Sequence, residues 1–234
     1  MKIGIMQPYF LPYIGYFQLI NAVDKFVIYD DVQFIKSGWI NRNRMLINGE
    51  AKNFVLNIKK DSYELNINER YFIDNAEYDF NKLLKGFELT YKKAPYFNEG
   101  MELLKHIFQY DKKQDISKFI INSLKLICNY LDITTEFIIS SSLEKNNSLK
   151  SEEKVINIVK LLRGDIYINS YGGTELYSRE NFSKEGVSLL FIKPKEFIYE
   201  QFHKDFVPNL SIIDVIMFNS KETIKNFLNN YEVL

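Results

Sequence analysis

Histidine and cysteine are nearly missing from this chain of 234 residues, which has two of the first and one of the second. A lone thiol closes no internal disulfide, and Cys128 lies in the apolar pattern FIINSLKLICNYL, where a small buried side chain belongs. That usage fits a reducing compartment. His106 and His203 are about a hundred residues apart, and there is no HxxH, CxxC or HExxH pattern. Neither a zinc site nor a histidine-based triad is therefore expected. An excess of one charge is missing too, since thirty Lys and Arg balance thirty Asp and Glu. A balanced chain has no bulk attraction to DNA or to an anionic membrane. No stretch reaches the roughly 18 uncharged apolar residues of a membrane span, so no membrane insertion is expected. The start, MKIGIMQPYF, is too short and too proline-broken for a signal peptide, and the expected location is cytoplasmic.

What is present is a 46% hydrophobic chain, long enough to bury roughly three quarters of its unfolded surface without staples. KIGIM (2–6) reads as a buried strand, and QPYFLP follows as a loop that suits neither strand nor helix. From Tyr13 the spacing of Ile14, Phe17, Leu19 and Ile20 predicts a helix ending near Asn21, and KFVIYDD (25–31) is a second strand. That is the cadence of a βαβ unit. Asn48-Gly49 marks a hairpin between two alternating segments. From Tyr78 to Leu131 the periodicity turns helical, in three segments. TEFIISSSL returns to strand, and 148–162 is helical with Ser151 as candidate cap. DIYINS is a strand, and Tyr171-Gly172-Gly173 turns into a helix over TELYSRENFSKE with Thr174 as candidate cap. VSLLFIKP is a strand, and SIIDVIMFNSKETIKNFL closes the chain with helix. The expected fold is α/β and Rossmann-like, one domain over 1–234. Its sheet is mainly parallel, with a β-hairpin and a helical insertion at about 78–131.

In such sheets ligands bind outside the carboxyl ends of the strands, and three unusual stretches fall there. The pattern P-Y-I-G-Y after the first strand resembles the HxGH element of nucleotidylyl transferases and class I aminoacyl-tRNA synthetases, which points to a nucleotidylyl-transferase or HUP-like variant of the fold. Tyr13 and Tyr16 stand at its histidine positions, and Gly15 would let a nucleotide lie against the backbone. Tyrosine stays neutral, so the geometry can persist without adenylyl-transfer chemistry. Aromatic packing of helix onto sheet explains Tyr16 equally well. The second strand ends in Asp30 and Asp31, either of which could act as a base or cap a turn. Lys36, Trp39, Asn41, Arg42 and Arg44 form a cationic and aromatic cluster suited to phosphate or carboxylate, or to an ordinary solvated hairpin. The third stretch, SYGGTELY, exposes amides at Tyr171, Gly172 and Gly173. His203 is a further candidate acid or base.

Together, GIMQPYFLPYIGYFQLI, DKFVIYDDVQFIKSGWINRNR, TYKKAPYF, YINSYGGTELY and FVPNLSIIDVIMFNS resemble the WbqC-like proteins from residue 3 to residue 220. The resemblance implies a transferase of bacterial surface-polysaccharide (O-antigen) synthesis that puts an aminoacyl or acyl group on a nucleotide-linked amino sugar. Forming an amide from a free carboxylate is uphill, so ATP or an aminoacyl-tRNA is the expected source of activation. Gln7, Tyr9, Tyr13, Gly15, Tyr16 and Asn209 join the basic cluster as substrate-binding candidates, with Asp30, Asp31 and His203 as catalytic ones. The expected partners are the nucleotide sugar and either a second copy of the chain or an enzyme of the same glycan pathway. The competing expectation is a non-catalytic nucleotide-sugar or partner-binding protein that has lost the HxGH histidines.

Overall fold

The structure is a computed structural model that describes residues 1–202 and 205–234. In chain order its elements are β1 (Lys2–Met6), α1 (Ile14–Asn21), β2 (Lys25–Ile28), β3 (Arg42–Ile47), β4 (Glu50–Val55), α2 (Ala76–Tyr91), α3 (Phe97–Phe108) and α4 (Ile116–Tyr130). There follow β5 (Glu136–Ile139), α5 (Ser151–Leu161), β6 (Ile166–Ser170), α6 (Arg179–Lys184), β7 (Ser188–Pro194), α7 (Ile212–Phe218), α8 (Lys221–Leu228) and β8 (Tyr231–Val233).

Six strands form one sheet in the order β5-β2-β1-β6-β7-β8, parallel except for β8. The chain runs outward from β1 to β2 and β5, then returns to β6 on the other side of β1. This is the order of a Rossmann-like doubly wound sheet, and its reversal lies between β1 and β6. The period-2 alternation of the strands sorts the core into two layers. Ile3 and Ile5 of β1, Val27 of β2 and Tyr167 of β6 face α5 and α6. Phe26, Ile28 and Ile168 face the other way, onto the larger layer that holds α1, α4 and the elements beyond them. Buried Gln18 joins α1 to the end of α8 by donating to the carbonyls of Phe227 (2.7 Å) and Asn230 (3.1 Å).

The hairpin β3–β4 turns at Asn48 and Gly49, both left-handed (φ 52° and 79°), as a type I′ turn requires. Three details depart from the sequence expectation. Gly172 and Gly173 do not open a helix; Tyr171–Gly173 is a single tight turn, and α6 starts only at Arg179, capped by Ser178 rather than Thr174. Glu152 of α5 decides this by accepting from the Ser178 amide (2.5 Å) and the Asn181 side chain (2.6 Å). Ser151 is the first residue of α5 with Lys150 at the cap position. The closing helix is two helices broken at Asn219-Ser220, because Ser220 caps α8, and the chain then adds β8 to the sheet.

Candidate functional site

The loop after β1 is pinned from both sides. The Phe10 amide donates to the Ile40 carbonyl (2.9 Å), and the Asn43 side chain donates to the Phe10 carbonyl (3.3 Å). From the other side the Ser211 hydroxyl donates to the Leu11 carbonyl (2.8 Å) and the Ile212 amide to that of Pro12 (2.8 Å). Leu11 is held at φ 44°, a conformation disfavoured for a branched side chain and maintained here by these bonds and its complete burial. The loop thereby joins the entry to β3 and the entry to α7 at the carboxyl end of β1.

The aromatic residues of the loop divide by role. Tyr16 is buried, its hydroxyl donates to the Gln7 carbonyl (2.8 Å), and its ring lies 5.6 Å from that of Tyr9. Tyr13 instead folds its ring over Gly15, where an added Cβ would stand 2.4 Å from the ring. The glycine gives close approach, and what approaches in this structure is Tyr13 itself. Burial raises the pKa of Tyr9, Tyr13 and Tyr16, so all three are neutral donors at ordinary pH.

Trp39, the chain's one tryptophan, is 41% exposed and flanked by two guanidinium groups, Arg42 at 5.6 Å and Arg44 at 5.4 Å from its ring. The two arginines share a face of β3 because they are two residues apart. Arg42 donates to the carbonyls of Gly38 (2.9 Å) and Ser37. Arg44 donates to the Asn209 carbonyl (2.9 Å), and its Nε is buried without a partner. Asn209 presents that carbonyl from a left-handed conformation (φ 56°). Among the described residues neither arginine, nor exposed Lys36, has a carboxylate within ion-pair distance. Asn41 is occupied in the fold, donating to the Leu56 carbonyl (2.8 Å).

At the end of β6, half-exposed Tyr171 has the Lys193 ammonium 5.0 Å from its ring centre. Gly173 lies against the Asn169 side chain, which a Cβ would meet at 2.4 Å, while Gly172 is open. The β1–β6 register, Gly4 opposite Ile168, puts this turn level with Gln7.

The two aspartates after β2 stand apart from this group. Asp30 is buried, and Ser141 donates to both of its oxygens, from the amide (2.9 Å) and from the hydroxyl (2.6 Å). Asp31 pairs with Lys145 (2.8 Å), whose side chain is 1% exposed, and with Lys154 (3.3 Å), while its Oδ1 is buried and unpartnered. Burial pushes the Asp31 carboxyl up. Hydrogen bonding to Lys145, the Ser140 hydroxyl beside it and the charge of Lys154 together outweigh burial and hold the carboxyl below its ordinary value. No hydrogen bond or ion pair among the described residues links either aspartate to Tyr13, Arg42 or Arg44. His203 lies outside the described residues.

A second buried carboxylate was not singled out in the sequence. Asp214 accepts from Tyr91 (2.8 Å), Tyr199 (2.7 Å) and Gln201 (2.9 Å), joining α2, α7 and the segment after β7. Burial raises its pKa despite those three bonds. The available signal was an acid in the otherwise apolar run SIIDVIMF. Lys145 and Lys154 left no such signal in a lysine-rich chain. Among the described residues no cluster of three His, Cys, Asp or Glu could hold a metal, and no helix is long and apolar enough to cross a membrane.

Comparison with known proteins follows the same segments. A family model described as the WbqC-like protein family matches residues 7–226. The uncharacterized protein Rv1507c of Mycobacterium tuberculosis is 26% identical over 220 residues, which cover 93% of each chain. No solved structure matches the chain.

Proposed function

The chain belongs to the WbqC-like family, and from that premise we propose a transferase of bacterial surface-polysaccharide (O-antigen) synthesis acting on a nucleotide-linked amino sugar. The observation that carries the proposal is exposed Trp39 beside Arg42 and Arg44, two cations with no carboxylate within ion-pair distance among the described residues. An aromatic face stacks a base or sugar, and guanidinium groups bind phosphate oxygens in pairs. Gln7, Tyr9 and Tyr13 then form the β1-side wall, with Tyr171, Gly172 and Gly173 opposite, while buried Tyr16 and covered Gly15 support it from behind. Lys36 and Asn209 complete the rim, and Asn41 is spent on the Leu56 carbonyl. The transferred group is aminoacyl or acyl, activated by ATP or delivered by an aminoacyl-tRNA. No base is assigned to the aspartates, since Asp30 is held by Ser141 and Asp31 by Lys145 and Lys154.

One observation favours a second reading, binding without turnover: both oxygens of Asp30 are engaged by Ser141. Trp39 provides the test. As the single tryptophan it reports stacking, so UDP-, dTDP- and GDP-sugars are titrated against intrinsic fluorescence. Saturable quenching by one nucleotide class is expected, and no quenching by any of them would sink the proposal. Mass spectrometry of each bound sugar with ATP and amino or acyl donors then separates the readings. A new mass supports transfer, and binding with no new mass supports the non-catalytic reading.

A further inference from the structure

Beside Tyr13 the carboxyl edge opens into a cavity of about 480 Å3 whose chemistry differs from that of the arginine cluster. Its wall is carbon-rich, with Tyr13 and Ile14 from the start of α1 facing Phe197, Phe206 and Leu210 from the segment between β7 and α7. Tyr199 adds its ring, but its hydroxyl is turned to Asp214 and is unavailable to a ligand. Apart from the Tyr13 hydroxyl, the polar side chains of the lining are Lys195, Glu196 and Asn209, all three exposed at the rim. A sugar ring carries several hydroxyls, each needing a partner once water is removed, so this wall suits it poorly. A hydrocarbon group loses nothing here and gains from every methylene buried.

The rim adds a charge argument. Lys195 has no carboxylate within ion-pair distance among the described residues, although Glu196 lines the rim beside it, and Arg44 reaches Asn209, part of the cavity's own lining. Ile198, at the mouth, leaves 75% of an apolar side chain in water. We infer that this cavity holds the hydrocarbon part of an acyl donor, a carboxylic-acid derivative with its head group at Lys195 on the rim. The word donor rests on the transferase reading above; the binding of an apolar acid does not. The inference narrows the transferred group to an apolar acyl group rather than a polar amino acid.

The test is a titration of straight-chain carboxylates from butanoate to octanoate, followed by methyl NMR. Affinity should rise about fourfold per added methylene until the cavity is full. The shifts should be confined to the methyls of Ile14, Ile198, Leu210 and Val215. Ile198→Asp, at an exposed position that the fold does not need, should weaken octanoate about tenfold by placing a carboxylate at the mouth. Affinity independent of chain length, or shifts scattered over other methyls, would overturn the inference. If sugar nucleotides quench Trp39 while no carboxylate binds, the inference fails and the transferase reading stands. If carboxylates bind as described and no nucleotide does, the cavity assignment stands and the nucleotide-sugar reading falls.

Discussion

Arg42 and Arg44 are held differently, and that limits what each can give a ligand. Arg42 braces the Ser37-Gly38 turn, while Arg44 leans on Asn209 with its Nε unmet. Removing either leaves a bound phosphate short of a charge-assisted hydrogen bond. Arg42→Ala should therefore weaken nucleotide affinity about tenfold or more, read by Trp39 quenching. Arg42→Lys should recover only part of it, because an ammonium lacks the fork; full recovery would mean that charge alone matters. Asp31 and Asp214 have opposite pH signatures. Asp31 has its folded pKa below 3.8, so it contributes stability above that value and loses it as pH falls through the folded pKa. Asp214 has its folded pKa above 3.8, so its contribution is full below that value and is lost as pH rises toward the folded pKa. Urea midpoints against pH should show Asp31→Asn flattening the acid limb and Asp214→Asn flattening the slope above it. The reverse assignment would refute both.

At the scale of elements, the start of α1 is built around one contact, the ring of Tyr13 over Gly15. The atoms that a Cβ would meet are the far end of a side chain that can swing away. Gly15→Ala should therefore cost about 1 kcal/mol or less in stability while displacing Tyr13 into the cavity it lines. Ligand affinity should fall while the melting temperature stays nearly unchanged. A large loss of stability in the single variant would show that the ring cannot move. α1 and the β3–β4 hairpin were legible in the sequence because local rules set them: apolar spacing for α1, and two left-handed residues at Asn48-Gly49 for the turn. The start of α6 was not, because Glu152, some 26 residues upstream, supplies the partner that makes Ser178 the cap.

Across the whole molecule, thirty basic and thirty acidic residues leave no net field to steer a ligand from a distance. The attraction at Trp39 is local. Raising salt should weaken nucleotide binding modestly in the native protein and less still in Arg42→Ala. A steep salt dependence in both would point to a charge patch elsewhere. The sheet order brings the β1 loop, the β6 turn and the entry to β3 to one edge from positions up to 165 residues apart, the span of the Arg44–Asn209 hydrogen bond.

The sequence by itself determined every strand but β8, most helices, the hairpin and the residue types at the carboxyl edge, since these follow from local periodicity and turn chemistry. Only the tertiary structure decided which polar groups are spent. Asp30 is taken by Ser141, 111 residues away, and Asp31 by Lys145 and Lys154. Asp214 lies buried under Tyr91 and Tyr199, while Arg42 and Arg44 beside Trp39 have no carboxylate within ion-pair distance among the described residues. A charged side chain's availability depends on which partners the fold delivers to it, and long-range partners leave no mark in the sequence around it.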